Sequence, residues 1–158
     1  MKSLACLIFV TASLAAPAPS PSKDTVTLRM YAVQAVYEGA KDRYCDPALE
    51  DVRESLDELE DYDTFRKIKI LQATGPYNKE FELPINDEYT LFVTPLEEDS
   101  SGRVRLETRI VEAVDGRETE NPINALRATS SLVPGDRLLL GGPKLERGKL
   151  VLVLTVEE

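Results

Sequence analysis

Few residues in this chain could carry out covalent chemistry. The sequence contains no histidine, and Cys45 is the one cysteine outside the N-terminal apolar segment. A serine or cysteine nucleophile needs a neighbouring base to take its proton, and that base is usually histidine. Lysine can replace it, but the one Ser-x-x-Lys pattern, Ser20 to Lys23, lies in a proline-rich stretch where the lysine would stay solvated and charged. We therefore predict no catalytic residue, and interpret Cys45 as a small half-buried side chain.

Ligands for zinc or a redox metal are missing for the same reason, since such sites draw mainly on histidine and cysteine. Calcium needs only oxygen ligands, and two acidic segments could supply them, at residues 97–102 and 57–63. Neither has the alternating Asp/Asn ligands, central glycine and closing glutamate of an EF-hand loop. We predict no metal ligand and no cofactor, and keep a calcium-stabilised exported module as one alternative.

Paired carboxylates could supply the acid and base of glycoside hydrolysis. Sugar-binding clefts are usually lined by aromatic side chains, whereas this chain has no tryptophan and only 6% aromatic residues. A carboxylate-dependent hydrolase of sugar or cell-wall polymer is therefore kept only as a second alternative.

The N-terminus has the layout of a secretory signal peptide. Lys2 precedes an apolar run from Leu4 to Leu14, about half of the roughly 20 residues that cross a bilayer. We predict a signal peptide at residues 1–15, a spacer rich in proline, alanine and serine at residues 16–23, and a single β-rich domain at residues 24–158. The protein would then be exported, to the periplasm or to the extracellular medium.

The net charge of −9 limits the partners that this domain can bind. Nucleic acid and anionic lipid both require a basic surface, so we expect neither to bind, and no membrane insertion after signal cleavage. Cys45 alone cannot form an intrachain disulfide, so the roughly 140 residues of the mature chain must be held together by their apolar core.

Apolar periodicity predicts the first two elements. Residues 25–37 carry apolar side chains on both faces, which is typical of a central strand that is covered on both sides. Asp46 followed by Pro47 is typical of a helix start, and we expect this helix to end near Asp61 with a strongly acidic outer face. Its apolar positions recur at spacings of three and four, namely Leu49, Val52, Leu56 and Leu59.

The rest of the chain alternates between apolar runs and turn residues, which predicts strands with short antiparallel connections. We expect strands at residues 64–72, 79–83, 89–94, 103–114, 117–133 with an interruption at Pro122, 137–140 and 150–156. Asp115-Gly116 is the strongest hairpin signal, and the last strand is apolar on both faces and so is expected to be central. The predicted fold class is α+β, mostly β: an antiparallel β-sandwich or partly open barrel with one N-terminal amphipathic helix.

Two sets of residues resemble known groups of proteins. Residues 129–143, with the turn at Pro134-Gly135-Asp136, are similar to a hairpin segment of bacterial outer-membrane secretins. The helix opening Asp46-Pro47-Ala48-Leu49 and the strand end Thr94-Pro95-Leu96 resemble a group of small exported bacterial β-rich proteins without an assigned activity. The resemblance implies a companion of envelope or secretion machinery, and not a pore.

These observations together favour a non-enzymatic exported domain that binds another protein. A strand-rich domain offers a sheet edge, or a strand-lined surface, that a protein partner can complete. The acidic helix is followed in sequence by Arg66, Lys67 and Lys69, which suggests that opposite charges meet within the molecule. The acidic face could also steer a basic partner towards the domain.

Overall fold

The computed structural model describes residues 24–114, 117–118 and 126–157. The predicted signal peptide and spacer, the Asp115-Gly116 turn and Pro122 lie outside the described residues. In chain order the strands are β1 (Thr25–Val36), β2 (Tyr44–Cys45), β3 (Thr64–Pro76), β4 (Phe81–Pro84), β5 (Tyr89–Glu98), β6 (Val104–Val114), β7 (Arg117–Glu118), β8 (Leu126–Leu132), β9 (Arg137–Lys144) and β10 (Lys149–Glu157). The prediction of a mostly β chain is confirmed.

The strands form two sheets. The first has the order β2-β3-β1-β10-β9; in the second, β4, β5 and β6 follow one another and both β7 and β8 pair with β6. All pairs are antiparallel except the two-residue parallel pairing of β2 with β3, which the sequence pattern did not indicate. The two sheets do not close into a barrel in the part of the chain that the structure describes.

The prediction that the first and last strands are central is confirmed, since β1 and β10 pair with each other inside the first sheet. On one face of both strands, the side chains pack with residues of the second sheet in one apolar cluster. On the other face, they pack with the helix in a second apolar cluster. Because both faces are buried, apolar side chains occupy most positions on both faces of these strands, apart from polar residues such as Arg29 and Gln34 of β1. The first cluster includes Leu28, Met30, Leu152 and Leu154 together with Leu91, Val93, Leu106 and Ile110.

The helical segment is shorter than predicted. Asp46 caps it by accepting a hydrogen bond from the Ala48 amide at 2.9 Å, and the chain then forms a 3-10 helix at Pro47–Val52 and an α-helix, α1, at Arg53–Asp57. Four residues before Asp61 the helix gives way to a turn, in which the Leu59 amide donates to the Leu56 carbonyl. Leu59 packs against the same apolar cluster from this turn, which explains why the helical spacing continues beyond the helix.

Arg43 holds this turn in place. Its guanidinium donates to the carbonyl oxygens of Asp57 at 3.0 Å, Leu59 at 2.8 Å and Tyr62 at 3.1 Å, and lies 5.3 Å from the centre of the Phe65 ring. Carbonyl groups at the end of a helix have no partner within the helix, so a cation there satisfies groups that would otherwise depend on water.

Replacing Arg43 by Met should therefore lower the free energy of unfolding by about 2 kcal/mol, because several charge-assisted hydrogen bonds are lost together. Urea denaturation measures the change. The matched control is Arg53→Met, which removes only an exposed pair with Glu50 at 3.5 Å and should change stability by less than about 0.5 kcal/mol. Equal losses in the two variants would contradict this role for Arg43.

No helix in the described ranges is both long enough and apolar enough to cross a bilayer.

Candidate protein-binding surface

Cys45 lies at the end of β2 and is half-buried. Its sulfur donates a weak hydrogen bond to the Asp46 carbonyl at 3.8 Å. Burial raises the pKa of the Cys45 thiol, with Arg53 acting weakly in the opposite direction. A raised pKa lowers the fraction of reactive thiolate at neutral pH, so Cys45 behaves as a packing residue. Ser20 and Lys23 lie outside the described residues.

The acidic loop at residues 97–102 is organised around Asp99. The Asp99 carboxylate accepts hydrogen bonds from the backbone amides of Ser101 at 2.8 Å and Arg103 at 3.1 Å, and from the Ser101 hydroxyl. These bonds, first of all the one from the Ser101 hydroxyl, lower the pKa of Asp99. One oxygen of Asp99, Oδ1, accepts all three hydrogen bonds and so closes the loop. No group of three or more potential metal ligands occurs among the residues that the structure describes.

The acidic residues at positions 57–63 have different roles. Asp57 pairs with Arg43 at 3.5 Å, whereas Asp63 is buried and binds the backbone of the connection after β1. Its carboxylate accepts hydrogen bonds from the amides of Glu38 and Ala40, both at 2.8 Å, and from the Thr64 hydroxyl at 2.9 Å. The hydrogen bond from the Glu38 amide is the main reason that the pKa of Asp63 is lowered.

A carboxyl with a lowered pKa stabilises the fold above its unfolded pKa of about 4, and this stabilisation is lost as the pH falls through the lower folded-state value. We expect Asp63→Asn to lower the melting temperature clearly at pH 7, and the gap to wild type to shrink on acidification below about pH 4. Thermal unfolding, followed by circular dichroism at neutral and acidic pH, measures the melting temperatures and how their difference changes with pH. Asp61→Asn is the control, since Asp61 is exposed. A gap that does not change with pH would be inconsistent with this assignment.

The groove between the helical segment and the first sheet contains charged groups that satisfy one another. Arg29 pairs with Glu157 at 2.8 Å, Arg137 pairs with Glu54 at 3.4 Å, and the Tyr31 hydroxyl donates to Asp51 at 3.3 Å. The carboxylates of Asp51, Glu54 and Glu157 are therefore each held by a cation or a hydroxyl group.

β3 has a long open edge on one side of the first sheet. β1 pairs with β3 along its whole length, but on the other side β2 pairs only with Thr64 and Phe65. The Lys67 amide donates to the Asp46 carboxylate at 3.4 Å, and beyond it no strand of the described part of the chain pairs with the outer side of β3. Every second residue of such an edge directs its N–H and C=O groups away from its single neighbour. We call residues 68–76 the β3 edge.

A cluster of exposed tyrosine and arginine side chains adjoins this edge. Tyr37 is 73% exposed and Tyr44 is 48% exposed. The Arg66 guanidinium lies 5.9 Å from the centre of the Tyr44 ring, and Glu38 binds both Arg66 at 3.2 Å and Arg147 at 3.4 Å. Tyrosine and arginine are enriched at the energetic centres of protein interfaces. We call these five residues the Tyr–Arg cluster.

The acidic helix does meet opposite charges within the molecule, but they are not the cations of the following strand. The acidic side chains Glu50, Glu54 and Asp57 pair instead with Arg53, Arg137 and Arg43. Arg66 pairs with Glu38, and Lys67 and Lys69 form no ion pair within the described residues. Their positive charge therefore remains beside the β3 edge in a chain whose net charge is −9.

Neither Asp63 nor the β3 edge was identified as functional from the sequence, although one signal was present. Lysines along a strand are a common means of discouraging unwanted edge pairing, and Arg66, Lys67 and Lys69 follow this pattern. This pattern therefore indicates that the strand lies at a sheet edge.

In comparisons with known proteins, no protein-family model and no curated protein matches the chain.

Proposed function

We propose that this protein is an exported protein-binding domain whose partner adds a strand to the β3 edge and contacts the Tyr–Arg cluster. In this proposal residues 1–15 direct export and are removed, and the domain works in the periplasm or the extracellular medium. The two sheets act as a rigid β-sandwich scaffold, an arrangement supported by the apolar cluster that contains side chains of both.

The observation that carries the proposal is the length of the unpaired edge. Two strands typically pair over about five residues, and residues 68–76 offer more than that. Ile70, the third residue of the edge, is 36% exposed although it is a large aliphatic residue. Backbone hydrogen bonds along the edge would give affinity, and side chains such as Ile70 would give selectivity.

The test is a photocrosslinking amino acid placed at position 70 in cells that export the protein. We expect one discrete protein adduct after illumination, because the side chain at this position borders the proposed partner strand. The matched control has the same amino acid at Val133, which is similarly exposed at 40% and follows β8 of the second sheet. Adducts of equal yield at both positions, or none at position 70, would overturn the proposal.

A further inference from the structure

The β3 edge carries positive charge on both sides of the plane of its sheet. Lys67 lies opposite Val33 on β1, and Lys69 lies opposite Ala32. Val33 belongs to the apolar cluster under the helix, and Ala32 belongs to the cluster shared with the second sheet. Directly opposite residues of paired strands point to the same face. Lys67 is therefore on the helix side of the sheet and Lys69 on the opposite side.

A β-bulge produces this arrangement. In a regular strand, residues 67 and 69 would share one face, because side chains alternate with a period of two. The register with β1 shifts between Ala32 and Val33, so that Ile68 is an extra residue on β3. Bulges redirect side chains in this manner, and they are frequent at sheet edges.

We propose that the strand which completes the β3 edge is an acidic one: an extended segment of a partner protein with two adjacent Asp or Glu residues next to apolar residues. This inference rests on the proposed function. Adjacent residues of a strand point to opposite faces, so two neighbouring carboxylates would meet Lys67 on one face and Lys69 on the other. The apolar residues beside them would lie near Ile70 and Leu71, the next positions along the edge.

The charges beside the β3 edge favour this occupant over others. Arg66 adds a third cation on the same face as Lys69, since it lies opposite Gln34, and only Arg66 of the three has an acidic partner among the described residues. The N-terminal spacer is poorly suited, because residues 16–23 contain no carboxylate and include Pro17, Pro19 and Pro21, which lack an N–H donor. A second copy of β3 would bring the same cations, which oppose edge pairing.

The test uses three blocked synthetic peptides and nuclear magnetic resonance of the isotope-labelled protein. The acidic probe is Thr-Val-Glu-Glu-Val-Val-Thr, the basic probe has Lys-Lys in place of Glu-Glu, and the proline probe is Thr-Pro-Glu-Glu-Pro-Val-Thr. We expect the acidic probe to shift the amide signals of residues 68–76 with an affinity at least about tenfold higher than that of the basic probe. The proline probe should bind more weakly than the acidic probe, because its two prolines remove one backbone donor from each alternating set.

Charge reversal provides the decisive comparison. The double variant Lys67→Glu with Lys69→Glu should prefer the basic probe, and Lys67→Ala with Lys69→Ala should lose the preference while its well-dispersed spectrum shows that the fold is intact. Equal binding of both probes at the β3 edge would overturn the acidic preference and leave edge binding standing. Amide signals that shift only outside residues 68–76, or no binding of the acidic probe, would also overturn the acidic preference. The crosslink at position 70 then decides separately whether the edge binds a protein.

Discussion

Ile70→Asp is expected to weaken binding of the partner captured at position 70 by at least about tenfold, with little change in the stability of the free domain. The substitution removes an exposed aliphatic contact, worth about 1.5 kcal/mol or more when buried by a partner. It also places a negative charge on the edge, which opposes a partner strand that is acidic. Because Ile70 is 36% exposed, its replacement should cost the free domain less than about 1 kcal/mol. Affinity measured by calorimetry and stability measured by urea denaturation separate the two effects.

Val133→Asp is the matched control, since it introduces the same charge at a similarly exposed aliphatic residue. Val133 follows β8, and is remote in sequence from the β3 edge. Its replacement should leave the affinity within about twofold of wild type. If the two variants lose affinity equally, the binding surface is not centred on β3.

Gly148→Ala should produce the largest loss of stability, about 4 kcal/mol. Gly148 forms the turn before β10 with φ at +78°, a region that disfavours side chains. A Cβ atom there would lie 2.2 Å from the Ala35 carbonyl oxygen and 2.9 Å from a methyl carbon of Val36. Ala35 belongs to the central strand β1 and is fully buried, so its backbone cannot move aside without disturbing the sheet.

The control for this prediction is Gly39→Ala. Gly39 has a similar φ of +69°, but a Cβ atom there would meet nothing within 4 Å. Its replacement should cost about 1 kcal/mol, the usual strain of a non-glycine residue in this conformation. Equilibrium unfolding in urea gives both values. Losses of the same size would show that conformational strain alone, and not the clash with Ala35, determines the outcome.

The strands could largely be predicted from the sequence, because their signal is local. Leu152 and Leu154 alternate with other apolar residues, and β1 has Leu28 and Met30 on one face and Tyr31 and Val33 on the other. This pattern predicts two strands buried on both faces, which is confirmed. The length of the helical segment could not be predicted in the same way. Its end depends on Arg43, which is distant in sequence from the carbonyl groups that it binds.

The candidate site depends on order and register, which are long-range properties. The cations of β3 are a local sign of an edge strand, but nothing local to residues 64–72 indicates that β2 pairs with only two residues of β3. The bulge at Ile68 depends on the pairing with β1, so the placement of Lys67 and Lys69 on opposite faces could not be read from their spacing. The role of Asp63 also depends on long-range contacts. In the sequence it is one of several acidic residues at positions 57–63, whereas in the fold it is a buried hydrogen-bond acceptor.

If a partner protein forms backbone hydrogen bonds with the β3 edge, its binding should slow amide hydrogen exchange there. Exchange is compared between the free domain and the domain bound to the protein that the position-70 crosslinker captures. We expect exchange to slow at alternate amides of residues 68–76 and to stay unchanged along β8 and β9, because every second N–H of an edge strand points outward. Unchanged exchange along β3, with slower exchange on any other surface of the domain, would contradict it.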